Sequence, residues 1–568
     1  MEQSEKENRE FQSNTMTNKK VSGILFIVIL SAYILYAGLY IYKTSFIING
    51  ERYFTLFDDA MISMRYAKNL ASGAGLVWNP GGEKVEGFSN PLWVMYMSIF
   101  HLLPVPPSKV SLFIQISSVV FLLFNLLFVK KIAGAASGFS PLVCLGSVIL
   151  TAFYLPINHW GLQGMEVGVL TLLVTMTVHM TITCINSKKF SPWPFLFMGL
   201  GTLIRMDMAI PYVVILAFLY GSNKQIRQKN LVYGVSLFAF FIISQTLFRL
   251  WYFGEILPNT YYLKMAGTPL YLRVVQGVLV LIAFIWRMNW VVFLITVVIV
   301  LVRRNSTTLL LFCVFLAQML YSVYVGGDAW EQWGGSNRYI CVAMPAFFIL
   351  FSLALKEIIW RSVDVLIGGG IVLAKIKVFA FIVLLVVCMV NLNAINEGSG
   401  ALEEWTLVSR SLHVQDNQSM IETALLTKKI STQNATIAVV WAGAIPYFSE
   451  RYSIDILGKN DKVVARGKSR RWPGLRRFTT FHPGHSKWDY GYSIGDLKPD
   501  IVAQVWGLAD AYGWGIYPPM GGLKPPWLPP RGEAKEYLDK DYTRVVIDNS
   551  ELFLRKGSKN ILWEKIKG

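Results

Sequence analysis

This sequence is short of charge. Of its 568 residues only 15% are Asp, Glu, Lys or Arg, while 54% are hydrophobic; a soluble domain carries roughly 25% charged residues. That is too little polar surface to cover a water-soluble fold of this length, and it also excludes disordered, collagen-like and coiled-coil chains. Cysteine is scarce as well: Cys144, Cys184, Cys313, Cys341 and Cys388 all lie in apolar runs. They support neither a disulfide framework nor a CxxC metal site. No GxxxxGK and no dinucleotide fingerprint occurs, which disfavours ATP-driven work and a nucleotide-sugar site on a Rossmann domain. Acids are the rarer charge, 35 against 53 bases, for a net of +18. In a soluble chain that excess would suggest nucleic acid. Here it reads as topology, with Lys and Arg gathered in short cytoplasmic loops against anionic lipid, and no nucleic-acid partner is expected.

What is present is a series of long apolar runs. The first 20 residues are polar, and the run at 21–41 is long enough to cross a bilayer and lacks a small-residue cleavage site, so it reads as a first span with a cytoplasmic N-terminus. Further runs lie near 91–103, 108–129, 138–156, 165–185, 193–204, 208–221, 230–250, 277–302, 307–325, 338–356 and 372–392, about 11 transmembrane helices. The 91–103 run, cut short by Pro-Val-Pro-Pro, is expected to be partial or re-entrant. Lys130 and Lys131, Lys188 and Lys189, the 224–229 loop, Arg303 and Arg304, and Lys356 to Arg361 then face the cytoplasm. The outer loops are 43–90, 157–165, 205–207, 251–275, 326–337 and everything after 393. Beyond 393 the composition turns to Pro, Gly, Trp and mixed charge, and short β-like runs such as Thr436–Val440, Asp500–Val505 and Thr543–Ile547 predict an α/β domain. The expected organisation is a cytoplasmic tail (1–20), a polytopic α-helical membrane domain (21–392) and an extracytoplasmic α/β domain (393–568), in the plasma membrane.

Ionisable residues at a membrane are costly and point to a site. In the first outer loop Asp58 and Asp59 open a helix predicted to end at Gly73 and Gly75, with Arg65 two turns on, on nearly the same face. The acidic pair reads either as an N-cap with a favourable helix-dipole charge or as a carboxylate that takes a proton from a sugar hydroxyl or holds a metal. Adjacent residues point about 100° apart, so one acid is expected to do chemistry and the other to cap or orient. Glu86 follows, as an acceptor contact or turn residue. The second loop supplies His159 and Glu166; Arg205 and Asp207 sit between two apolar halves, as a site or as a neutralising pair. Asn259 and Lys264 end an aromatic stretch, and Asp328 and Arg338 flank glycines before a span. Arg338 suits a phosphate clamp or a lipid headgroup. Lys459–Arg477 holds eight bases and one acid, and reads first as a loop lying on anionic lipid. His482 and His485 alone do not make a metal site.

Together these stretches resemble the GT-C superfamily of membrane glycosyltransferases, and within it the mycobacterial terminal arabinofuranosyltransferase family and its bacterial relatives. The likeness rests on Asp58-Asp59 with RYAKNLASGAGLVWNPGGEKVEG (65–87), GLQGMEV (161–167), LIRMD (203–207), FGEILPNTYYLK (253–264), VGGD (325–328) before Arg338, WAGAIPYF (441–448), DILGKND (455–461) and PGHSK (483–487). It implies a polyprenyl-phosphate-sugar donor, a cell-envelope glycan or glycolipid acceptor on the outer face, and Asp58 and Asp59 in the catalytic role. Arg205, Lys264 and Arg338 would then face the donor phosphate, and Arg65, Glu86, His159, Glu166, Asp207, Asn259 and Asp328 the sugars. No residue is assigned to a metal, and a divalent cation is left open. Gln163 stands where relatives usually carry an acid, and Met206-Asp207 where Pro-Glu is common, so arabinose does not carry over. A secondary transporter or lipid-glycan flippase is the competing class, but related halves with helices broken at the midplane would be expected of it.

Overall fold

A computed structural model describes residues 2–329, 337–367, 371–394, 399–470, 483–506, 533–548 and 550–566. Among them, seven helices are long and apolar enough to cross a membrane: Lys20–Lys43, Pro107–Ser137, Val167–Ser187, Arg227–Phe253, Leu270–Arg287, Ser306–Val325 and Leu373–Asn393. An eighth results if Pro141–Ala152 and Leu155–Leu162, bent by 49°, count as one span. Three of the expected runs, 91–103, 193–204 and 208–221, are shorter apolar helices, Pro91–Phe100, Trp193–Ile204 and Met206–Ser222, and the 338–356 run is divided between Arg338–Cys341 and Met344–Ile367.

The lengths and breaks of these helices have local causes. The 91–103 run is a helix of 10 residues, about 15 Å long, half the hydrocarbon thickness of roughly 30 Å. The single span expected at 277–302 is two helices, because Asn289, at φ +75°, takes an acceptor role towards the Val291 N–H (3.0 Å) and starts a new helix. The outer loop expected at 157–165 is instead mostly the Leu155–Leu162 helix, buried throughout.

The first loop folds as a hairpin, β1 (Phe46–Ile48) with β2 (Glu51–Tyr53), and then the helix Asp58–Ala71, which ends before Gly73 at φ +82° as the sequence signals predict. This helix is buried on nearly every side, because membrane helices pack on one face and the C-terminal sheet layer on the other. The sheet has the order β4-β3-β5-β7-β6: β3 (Thr436–Val439) pairs in parallel with β4 (Tyr452–Asp455) and β5 (Ile501–Val502), and β6 (Tyr542–Ile547) forms an antiparallel hairpin with β7 (Ser550–Arg555). Between β3 and β4 the chain forms the helix Ala444–Ser449. The loops at the carboxyl ends of parallel strands are where open α/β sheets place ligands. Here those loops are Val440–Gly443 and Ile456–Asn460, and both face the Asp58–Ala71 helix.

Candidate active site

Asp58 and Asp59, adjacent in sequence, do different things. The Asp58 carboxylate accepts the backbone N–H groups of Gly443 (3.2 Å) and Ala444 (2.8 Å), at the start of the short helix of the sheet layer. A Cβ on Gly443 would overlap the Asp58 carbonyl oxygen, so only glycine permits this approach. Seven residues on, Arg65 donates to the carbonyls of Trp78 (2.5 Å), Pro446 and Arg451 (2.9 Å) and to Asn79 (2.7 Å). Asp58 and Arg65 therefore share a face, as their spacing implies, and that face docks the sheet layer.

Asp59 points the other way. Its carboxylate accepts from Arg338 Nη1 (3.0 Å) and from Lys459 Nζ, which reaches it from the DILGKND loop. Arg338 is fixed by a bidentate pair with Asp328, both bonds 2.8 Å, and lies over the Trp160 ring. Arg205 makes a second fork on Asp207 (2.6 and 2.9 Å), reaches Glu166 (3.1 Å) and lies over Tyr339. Glu166 in turn accepts from Asn90 (3.0 Å), which accepts from Ser63 on the Asp58–Ala71 helix (2.9 Å). Such planar forks hold guanidinium groups in one orientation.

Two cavities meet at Asp59. One is walled by Trp441, Ala442, Leu457 and His485 of the sheet layer. The other is walled by Asn90, Glu166, Arg205 and Tyr339. Asp59, Ile62, Lys264, Arg338 and Lys459 line both. Burial alone raises the Asp59 carboxyl, but Lys459, Arg338 and Lys264 hold it well below the usual carboxylate range. Asp58 is pushed up to about 7 by burial, with the Asp59 charge adding to it, against the pull of the Ala444 and Gly443 N–H groups and Lys459. Burial, with Lys459 and Arg338 as like charges, pushes Lys264 down to about 8. Two carboxylates, Asp59 and Asp328, thus face three cations, Arg338, Lys264 and Lys459. Among the described residues no three of His, Cys, Asp and Glu are grouped as metal ligands.

The structure brings Asp59, Glu166, Arg205, Asp207, Lys264, Asp328 and Arg338 together around the cavities. It places four other expected site residues elsewhere. Arg65 is in the docking face. Glu86 receives Arg249 Nε (2.8 Å). Asn259 donates to the carbonyls of Gly458 (3.0 Å), Lys459 (3.0 Å) and Asp461 (3.2 Å). His159 is buried beside Tyr40 (3.3 Å), Glu404 (3.3 Å) and Ser411 (3.4 Å).

Lys459, read in the sequence as part of a loop lying on lipid, is 19% exposed and lines both cavities. Its loop is shaped by Asp455, which accepts the N–H groups of Leu457, Gly458 and Asn460 (3.1, 3.1 and 2.8 Å). An Asp at the carboxyl end of a parallel strand, with Gly and Asn following, was the available signal. The basic run from Arg471 to Arg477 and His482 lie outside the described residues.

This arrangement is that of a helical membrane bundle closed by a sheet layer, and known proteins share it. The apo oligosaccharyltransferase of Archaeoglobus fulgidus superposes with a TM-score of 0.50 at 9% identity, covering 94% of this chain and 75% of that one. The chain has the GT-C fold. ArnT from Cupriavidus metallidurans in the apo state matches with a TM-score of 0.48 at 11% identity, over 76% of this chain and 86% of that one. A family model described as a domain of unknown function (DUF8728) matches residues 410–544, which include β3, β4 and the Lys459 loop. No curated protein matches the sequence.

Proposed function

We propose that the protein is a membrane glycosyltransferase that moves a sugar from a polyprenyl-phosphate donor to a hydroxyl of a cell-envelope glycan or glycolipid. The observation that carries this reading is the wall shared by the two cavities, in which one carboxylate, Asp59, stands among Arg338, Lys264 and Lys459. Two reactants need two compartments with the reacting groups between them, and this wall offers a base and an anion site at the same point.

The step balances as follows. The acceptor O–H bond breaks and its proton passes to Asp59; the acceptor oxygen bonds to the anomeric carbon; the bond from that carbon to the phosphate oxygen breaks, and its electron pair leaves on the phosphate. The leaving group gains one negative charge as Asp59 loses one, so the charge of the site is conserved. Arg338 and Lys264, held in a water-poor pocket, stabilise the charge that develops on the phosphate.

In this reading residues 21–392 form the donor-binding membrane unit and 393–568 an extracytoplasmic unit, with the site on the outer face of the plasma membrane. The distribution of Lys and Arg among the short loops supports that orientation. The test is transfer of a labelled sugar by purified protein from defined polyprenyl-phosphate donors, pentofuranose first, with and without EDTA. Transfer supports the reading. Failure with every donor, together with counterflow of a lipid or solute in proteoliposomes, overturns it in favour of a transporter.

A further inference from the structure

The Lys459–Asp59 pair joins residues 400 apart in sequence, and it fixes the contribution of the sheet layer to the chemistry. Three observations bear on it. Lys459 sits on the wall of both cavities, so its ammonium is within reach of whatever occupies either one. Its loop is built to aim it: Asp455 ties the loop from inside, Asn259 of the membrane unit clamps the carbonyls of Gly458, Lys459 and Asp461, and Tyr66 of the Asp58–Ala71 helix donates to Asn460 (3.0 Å). A Cβ on Gly87 would collide with Asn460 and the Lys459 carbonyl, so the first loop is also cut to fit it. Finally, Arg338 already holds Asp59 while keeping its fork on Asp328. Lys459 is therefore a second cation on a carboxylate that has one.

We infer that Lys459 is a ligand for the donor's phosphate, paired with Asp59 and handed from it to the phosphate when the donor binds. The inference rests on the transferase reading for the identity of the donor, but the exchange itself is a binding event that can be measured without turnover. A lysine is suited to it, because its ammonium is a point charge on a four-carbon stem that can swing between two anions, whereas the forked guanidinium of Arg338 is fixed. The consequence for Asp59 is direct. Doubly paired, it is a poor base; relieved of Lys459, it can accept a proton from the acceptor. Donor binding thus switches the base on, and the base is quenched when only an acceptor, or water, is present.

The test uses the full-length protein in detergent and two probes, undecaprenyl phosphate and undecaprenol, with affinity read from tryptophan fluorescence. Lys459→Ala should weaken undecaprenyl phosphate binding by about tenfold or more and leave undecaprenol binding unchanged; Lys459→Arg should recover most of the loss. Asp59→Asn removes the paired carboxylate, so it should bind undecaprenyl phosphate more tightly than the unaltered protein, and Lys459→Ala in that background should abolish the gain. A Lys459 that only docks the sheet layer would lower thermal stability in Lys459→Ala without separating the two probes, and Asp59→Asn would gain nothing; either result overturns the inference. If no donor supports transfer yet the phosphate affinities follow this pattern, the exchange stands and the transferase reading falls. Transfer with unchanged phosphate affinity in Lys459→Ala does the reverse.

Discussion

Asp58 and Asp59 share a peptide bond and face opposite ways: Asp58 accepts two backbone N–H groups of the sheet layer, while Asp59 is held by Arg338 at 3.0 Å between two cavities. One acid docks the sheet layer and the other lines both cavities. The helix geometry that separates neighbouring side chains by about 100° makes this division of labour possible.

Removing the docking acid should loosen the sheet layer. Asp58→Ala leaves the N–H groups of Gly443 and Ala444 without their acceptor, at about 1–3 kcal/mol for a buried group. Gly443→Ala should act similarly, since its new Cβ overlaps the Asp58 carbonyl oxygen. Faster tryptic cleavage within residues 393–568 and a lower melting temperature are the expected results. An unchanged cleavage pattern in both variants would remove the docking role.

Phosphate affinity should depend on pH through Lys264. Burial and its cationic neighbours push this ammonium down to about 8, so it is charged below that pH and neutral above it. A polyprenyl phosphate monoester, with its second pKa of about 6, keeps its charge from pH 7 upward. Undecaprenyl phosphate binding should therefore weaken as pH rises from 7 to 9.5. In Lys264→Met the affinity should be lower at pH 7 and flatter across the range. An equally steep decline in the variant would assign the titration to another group.

Replacing the forked arginines by lysine should not be conservative. Arg338 bonds Asp328 twice and Asp59 once, and Arg205 bonds Asp207 twice and Glu166 once; an ammonium cannot span either set with the same geometry. Arg338→Lys and Arg205→Lys are each expected to lower transfer at least tenfold while the protein stays folded by circular dichroism. Transfer within twofold of the unaltered protein would show that charge alone suffices.

The Glu86–Arg249 pair is expected to stabilise and not to catalyse. Glu86→Ala strands a buried guanidinium and should cost about 3–5 kcal/mol, more than Glu86→Ala combined with Arg249→Met. Thermal unfolding of the single and double variants checks this. A double variant less stable than the single would show that Arg249 has other anchors.

Much of this was legible in the sequence, for physical reasons that differ from residue to residue. Hydropathy gave the membrane class, and the acidic first turn and the glycine signals placed the Asp58–Ala71 helix, whose N-cap is Phe57 with no side-chain cap bond. The spacing of Asp58 and Arg65 implied a shared face, though not what that face binds. Arg205 and Asp207 could be recognised as a pair because they are two residues apart, a local relation. Run length does not record where a helix breaks, so the single span expected at 277–302 is two helices parted at Asn289. Lys459 was lost among seven other bases, since the contact that defines it spans 400 residues and depends on how the sheet layer is docked. Glu86 and His159 looked functional because they are ionisable near a membrane; their partners, Arg249 and Glu404, come from distant segments that composition cannot pair.

The central claim is that Asp59 takes the acceptor's proton while Asp58 holds the structure. The most direct measurement is the rate of labelled-sugar transfer from a polyprenyl-phosphate donor by Asp59→Asn and Asp58→Asn, side by side, at matched folded protein. The account predicts a loss of about 10²–10⁴-fold for Asp59→Asn and retention of most activity by folded Asp58→Asn. Full transfer by Asp59→Asn, or the reverse ranking of the two variants, would contradict it.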